Sequence, residues 1–337
     1  SDVEVVACRR LTGRRSPGLI ERTTMKTMIL PGFAAMLLLN AITTLAEEKP
    51  RRLIFRGQDE IATGNQIKTI EAARITHPPV LDGKLDDACW EAANPISGFR
   101  QLGSESLARV QTVGYVVYDD ENLYVGFGCL EPETENLKIR PAEQVVDPNV
   151  DEGSVFSYDS VELMVKPSHW APEYFQIATD ISGANWDAFR THGGGTINDQ
   201  WRGAMSTVAQ VGEDHWSVEI RIPFYCLDLV PGVRSYWYFN LCRSKQRPQE
   251  LSSIAREGLF NEAHKFALLS GINVDFSRFF FNVSRPELVG EVGPGAPTAS
   301  AWSTLTNNTG QDRRVNVEFI GSDGPIRSQE LTLRSGQ

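Results

Sequence analysis

The chain is predicted to be all-β: an antiparallel β-sandwich followed by an incomplete second, immunoglobulin-like β-domain. Three observations carry that prediction. Eight or more short segments between about residues 70 and 272 alternate apolar and polar side chains with period two, as half-buried strands do. Amphipathic helical periods are almost absent from the same stretch. Phe 16, Tyr 8 and Trp 7, with Gly 28 and Pro 18, supply the aromatics that strands favour and the breakers that turns need. In a chain of 337 residues that is 41% apolar and 23% charged, a core can form, which excludes wholesale disorder. The net charge is -10, and no predicted strand carries a basic stripe. Nucleic-acid binding, which works by displacing phosphate counterions with cationic groups, is therefore not expected.

The elements follow in order. Residues 1–24 hold five Arg and no sustained apolar period, and read as a non-native upstream extension ahead of Met25. Residues 25–46 have the layout of a secretory signal. Lys26 precedes the apolar run Met28 to Ala46, and Thr44-Leu45-Ala46 offers small residues for cleavage. That layout predicts a secreted or periplasmic protein with no membrane span once the signal is removed. Without residues 1–46 the chain would keep 27 basic and 40 acidic residues, a surface that repels polyanions. Residues 47–68 are polar and aperiodic, and read as a linker.

The sandwich is assigned to residues 69–276. Ile75 to Gly83 reads as a strand ending in a turn, and Leu85 to Trp90 as one helical turn that buries its Trp. Thr112–Tyr118 is apolar on both faces and should be a central strand. Asp119 to Asn122 is a hairpin turn, after which Leu123, Val125, Phe127 and Cys129 share one face. Val161, Leu163 and Val165 share a face opposite Glu162. Phe175 and Ile177 point inward and Gln176 outward. Trp216, Val218, Ile220 and Ile222 alternate with polar residues until Pro223, and Trp237–Arg243 and Lys265–Ile272 complete the set. Residues 131–157 and 180–206 read as long irregular connections, which in a compact domain tend to be binding elements. Gly290 to Pro297 marks a boundary inside the incomplete domain, 277–337, where three further strands are expected. Cys89, Cys129, Cys226 and Cys242 allow three disulfide pairings or four buried thiols, and their spacing fits no zinc motif.

Five segments stand in an order that resembles family 9 carbohydrate-binding modules. They are Pro79-Val-Leu-Asp-Gly-Lys-Leu-Asp-Asp-Ala-Cys-Trp90, Tyr118-Asp-Asp-Glu-Asn-Leu-Tyr-Val-Gly-Phe127, Asp159-Ser-Val-Glu-Leu163, Trp216-Ser-Val-Glu-Ile-Arg-Ile-Pro-Phe224 and Asn240-Leu-Cys-Arg243. The resemblance covers about residues 70–272. It implies a module that docks a carbohydrate-degrading protein onto polysaccharide or oligosaccharide, its catalytic domains lying outside this fragment. In that family two Trp rings clamp a sugar while a carboxylate and amide or guanidinium groups bond its hydroxyls. The clamp positions correspond to Phe156 and Phe260, the carboxylate to Glu162, and the polar residue on the next strand to Gln176. Phe in place of both Trp offers a smaller stacking surface, and Gln176 stands where the family has Arg. The resemblance also implies structural calcium, for which Asp147, Asp151 and Glu152 are candidate ligands.

Other residues keep two readings each. Trp186 and Trp201 flank His192-Gly-Gly-Gly195 and either contact ligand or pack into rim and core. Arg243 either contacts ligand or pairs with a buried carboxylate. Asp159 is expected to anchor a turn, and Trp90, Trp216 and Trp237 to lie in the core. Catalytic signatures are missing: there is no Gly-x-Ser-x-Gly elbow, His-Glu-x-x-His pair or Walker loop, and the five His are scattered. The expectation is no catalysis in this chain, with glycoside hydrolysis the reaction class if there is any. Two alternatives compete with saccharide binding. One is a haem-b electron-transfer sandwich using Met164, Met205 or His192, and the other is a non-catalytic protein-interaction domain.

Overall fold

The computed structural model describes residues 3–8, 68–141, 144, 153–167, 173–198, 201, 203, 205–227, 229, 236–255, 259–283, 287–291, 298–302, 305–321 and 324–336. The signal segment 25–46, nearly all of the linker 47–68, and Asp147, Asp151 and Glu152 lie outside the described residues.

Strands dominate. In chain order they are β1 (Val3–Cys8), β2 (Thr69–Glu71), β3 (Ala73–Arg74), β4 (Arg100–Gln101), β5 (Thr112–Tyr118), β6 (Asn122–Leu130), β7 (Ser160–Lys166), β8 (Tyr174–Asp180), β9 (Asn185–Thr191), β10 (Thr196–Asn198), β11 (Ser206–Val211), β12 (His215–Pro223), β13 (Trp237–Gln246), β14 (Gln249–Ser253) and β15 (Ala267–Ser270). A large sheet runs β10-β9-β8-β7-β13-β14-β4, with β15 pairing both β13 and β2. A smaller sheet runs β11-β12-β6-β5-β3. The ladders are antiparallel except for the short β2–β15 and β3–β5 pairs. Among the described residues no helix is long and apolar enough to cross a membrane.

The core forms where the inward faces meet. Val161, Leu163, Val165, Phe175, Ile177, Phe239 and Leu241 of the large sheet face Val125, Phe127, Val218, Ile220 and Ile222 of the smaller one. The β5–β6 hairpin closes as its turn chemistry requires. Asp119 Oδ1 accepts the backbone N–H groups of Glu121 (2.8 Å) and Asn122 (2.7 Å), and Tyr124 donates to Asp119 Oδ2 (2.8 Å). β5 is buried on both faces because the segment carrying Leu85 and Trp90 covers the outside of the smaller sheet. Beneath that cover lies Glu219. It accepts the backbone N–H groups of Asp82 and Gly83 (both 2.9 Å) and the Trp90 indole N–H (3.0 Å). Burial still pushes its carboxyl up to about 7.

Two expectations change. Residues 180–206 are not irregular: they hold β9, β10 and the start of β11, which extend the sheets. The turn at 153–157 covers the outer face of β8 and β9, so both faces of β9 are buried near its start and the alternation is masked. The core also extends past residue 276, since Phe276 and Phe279 pack on Phe224, and Phe276 on Trp237. All four cysteines of the sandwich are free thiols. Beyond residue 280 lie β16 (Phe281–Val283), β17 (Glu287–Glu291), β18 (Thr298–Trp302), β19 (Leu305–Asn307), β20 (Arg313–Gly321) and β21 (Gly324–Leu333). They form two strand pairs and a three-stranded sheet, in which β1 runs parallel to β20.

Candidate functional site

The outer face of the large sheet gathers the residues of interest. Because side chains alternate, Glu162 and Met164 of β7 point away from the core that holds Val161, Leu163 and Val165. Register then sets their neighbours. Glu162 stands opposite Cys242 and Ala178, and Met164 opposite Asn240 and Gln176. On β9, Ala188 faces Gln176, Trp186 faces Ala178, and Arg190 faces Tyr174.

A diagonal of hydrogen bonds crosses this face over three strands. Arg190 Nε donates to Gln176 Oε1 (2.7 Å), and Gln176 Nε2 donates to Glu162 Oε2 (2.6 Å). The guanidinium at one end and the carboxylate at the other fix the amide's orientation. Glu162 is only 5% exposed. Burial pushes its carboxyl up to about 7, against the opposing pull of the Gln176 hydrogen bond and the Arg190 charge. The same burial, with Glu162 alongside, holds the Cys242 thiol well above its ordinary range.

Two apolar clusters flank the diagonal. On the β8–β9 side, Val155 packs with Ala178, Ala184, Trp186 and Ala188, and the Phe156 ring meets Trp186 edge-on at 5.2 Å. On the β13 side, Met164, Tyr174, Cys242, Ala263 and Phe266 form the second cluster, with Tyr238 and Phe260 against it. Both flanking segments are tethered to β13. Gln246 Nε2 donates to the Phe156 carbonyl (3.3 Å), and Asn240 Nδ2 donates to the Phe260 carbonyl (3.2 Å). Arg140 secures the first segment further: it pairs with buried Asp180 (2.8 Å) and donates to Ser154 Oγ (2.9 Å). Asp159 anchors the chain on either side of it, accepting from the Lys138 N–H (2.7 Å) and the Gln246 N–H (3.4 Å).

The loop at His192-Gly-Gly-Gly195 closes the Arg190 end. Gly194 has φ +101°, and a Cβ there would stand 2.7 Å from the Tyr174 hydroxyl and 2.9 Å from the Asn261 carbonyl. Only glycine fits so close an approach. Arg190 Nη1 lies 3.4 Å from the Gly194 carbonyl, to which it donates.

The structure thus brings Phe156, Glu162, Gln176, Trp186 and Phe260 to one face. Two candidates are corrected. Trp201 packs on Phe175, ring to ring at 4.8 Å, and Phe175 faces the intersheet core, so Trp201 lies on the opposite side of β8 from Glu162. Arg243 also faces between the sheets. It donates to the Leu130 carbonyl (2.9 Å) and pairs with Glu131 (3.4 Å), the buried-carboxylate alternative. Met164 and Met205 are likewise separated, Met164 on the outer face and Met205 against the intersheet core, so they cannot ligate one haem together. A cleft of about 210 Å³ at the end of the sandwich is lined by Arg109, Glu131, Lys245 and Glu250, and all four are already ion-paired. Among the described residues no group of three His, Cys, Asp or Glu is placed to hold a metal ion.

Arg190 escaped the sequence reading. The signal that could have found it is the alternation Trp186, Ala188, Arg190. That pattern resolves only once β9 is known to be a strand.

No family model and no curated protein matches the sequence. Solved structures similar to this chain include a protein described as carbohydrate-binding from Bacteroides uniformis, 11% identical with a TM-score of 0.47, covering 61% of this chain and 99% of that one. Another is a family 9 carbohydrate-binding module from Caldicellulosiruptor kristjanssonii in complex with cellotriose. It is 16% identical with a TM-score of 0.41, covering 62% of this chain and 96% of that one. A family 9 carbohydrate-binding module from the same organism in complex with glucose is 14% identical with a TM-score of 0.42, covering 60% of this chain and 95% of that one.

Proposed function

We propose that residues 69–280 form a secreted saccharide-binding module that docks a larger carbohydrate-degrading protein onto its polysaccharide. One observation carries this reading: an oriented carboxylate–amide–guanidinium diagonal lies between two aromatic-bearing walls on one sheet face. A sugar needs both parts. Its C–H faces stack on aromatic rings, and its hydroxyls need donors and acceptors held in fixed directions. Glu162 Oε1 accepts no hydrogen bond among the described residues, and Phe156 is 37% exposed, so each has capacity left for a ligand. The five sequence segments resembling family 9 modules support the same reading.

A glycan array followed by calorimetry tests it. Phe156→Ala and Phe260→Ala should each weaken saccharide binding about tenfold or more, the loss of a stacked ring being worth on the order of 1–3 kcal/mol. The melting temperature should fall only a few degrees. Full retention of affinity in both variants would remove the site.

A further inference from the structure

We infer that the saccharide taken by this face carries an anionic group, a carboxylate or a sulfate ester, and that Arg190 with Lys166 receives it. The inference rests on the saccharide reading above and names the class of sugar.

Register carries the first step. Lys166 of β7, Tyr174 of β8 and Arg190 of β9 end one row across the outer face, since Val165 pairs with Phe175 and Tyr174 with Arg190. The two cations are two strands apart, about 10 Å between backbones; Arg190 leans on Gln176 of β8 and Lys166 lies over Tyr238 of β13, so a swing of the flexible Lys166 stem is what brings its charge toward Arg190. Both are half-buried, so neither charge is fully solvated.

Pairing carries the second step. In this acidic chain the buried cations of the sandwich have carboxylate partners: Arg140 has Asp180, and Arg243 and Lys245 share Glu131. The half-buried Arg190 and Lys166, like half-buried Arg221, have no such partner. Among the described residues no carboxylate lies within ion-pair distance of either. Arg190 spends its Nε on a neutral amide and donates weakly to a carbonyl. Lys166 stands over the Tyr238 ring at 5.1 Å. Of the nearby acids, Glu162 acts on Arg190 across Gln176 without pairing with it directly. Glu173 acts on Lys166 only at longer range, and Glu262 is paired with Lys265 at 3.1 Å. Tyr174, between the two cations, donates its hydroxyl to the Asn261 carbonyl and so stays a neutral spacer.

The chemistry follows. A guanidinium with a second cation within a side chain's swing suits a planar carboxylate or a sulfate, with charge-assisted hydrogen bonds about twice as strong as neutral ones. A neutral sugar would leave Lys166 with no carboxylate in ion-pair distance among the described residues, and Arg190 offset only across Gln176 by Glu162.

Calorimetry on the full chain with three probes tests this: an oligogalacturonate, a sulfated galacto-oligosaccharide and a cello-oligosaccharide, each at low and moderate salt. The expected result is that one of the two anionic probes binds at least tenfold tighter than the neutral one. That preference should shrink as salt rises. Which anionic probe wins identifies the group. Arg190→Gln should abolish the preference by cutting the anionic probe's affinity at least tenfold more than the neutral probe's. Lys166→Gln, at a half-exposed position where misfolding is not at issue, should reduce the preference in the same direction. Equal binding of neutral and anionic probes, with Arg190→Gln weakening all of them alike, would overturn the inference and leave the saccharide reading standing. Binding of none of the three, nor of any array glycan, would overturn both.

Discussion

Glu162 shows what burying one carboxylate does to the whole protein. Its carboxyl is raised from an ordinary 4.5 to about 7, so the folded state holds its proton more tightly than the unfolded state does. Its contribution to stability is therefore fully present below about pH 4.5 and is lost as pH rises through 7. Glu162→Gln should match the wild type in urea denaturation at pH 4.5. At pH 8 it should be more stable, by up to roughly 3 kcal/mol. Glu219, also raised to about 7, should leave a pH slope of the same sign in that variant. A variant whose advantage is equal at both pH values would contradict the burial argument. Glu131 makes the opposite case. It pairs with Arg243 and Lys245, which are both buried. Glu131→Ala should cost about 3–5 kcal/mol, read from the same denaturation curves, because two buried cations lose their partner. The pairing itself was open in the sequence, since the residue type of Arg243 serves a ligand and an ion pair equally well.

At the scale of elements, the β5–β6 hairpin was legible because its signals are local. Asp119 to Asn122 marks the turn, and Leu123 to Cys129 shows the alternation. The reason for glycine at 126 was not legible. In the structure a Cβ there would meet Leu85 Cδ2 at 2.6 Å and the Trp90 ring at 3.3 Å, and that ring is held by its bond to Glu219. Gly126→Ala should therefore destabilise by about 1–3 kcal/mol through overpacking, seen as a fall in melting temperature of several degrees. β9 was illegible for a related reason. Trp186 and Ala188 on one face and Phe189 on the other are all covered, one side by Val155 and the other by the core. A strand buried on both faces loses the period that announces it. Arg190, which completes the polar diagonal, was hidden with it.

At the scale of the molecule, the sandwich holds together through contacts distant in sequence. Phe276 and Phe279 stack on Phe224, and Phe276 on Trp237, closing the large sheet with residues beyond the last long strand. A truncation after residue 283 should keep a single cooperative unfolding transition. One after residue 274 should lose several kcal/mol, as expected when two buried aromatic rings are removed. Thermal melts of the two fragments separate these outcomes, and equal stability would show that the sandwich ends before Phe276. Pairing of distant strands also brings the Phe156 and Phe260 segments, about 100 residues apart, to one strand, β13. There Gln246 and Asn240 hold their backbones.

By itself the sequence determined the fold class, the inward faces of the long strands, the hairpin chemistry, and that Glu162 and Gln176 share an outward face. Those properties depend on neighbours one to four residues away, and local alternation encodes them. Only the tertiary structure decided that Arg190 completes the diagonal, that Trp201 and Arg243 belong to the interior, and that the two aromatic segments flank one face. These depend on cross-strand register and on which face a distant segment covers, and side chains separated by tens of residues meet only after the sheets have stacked.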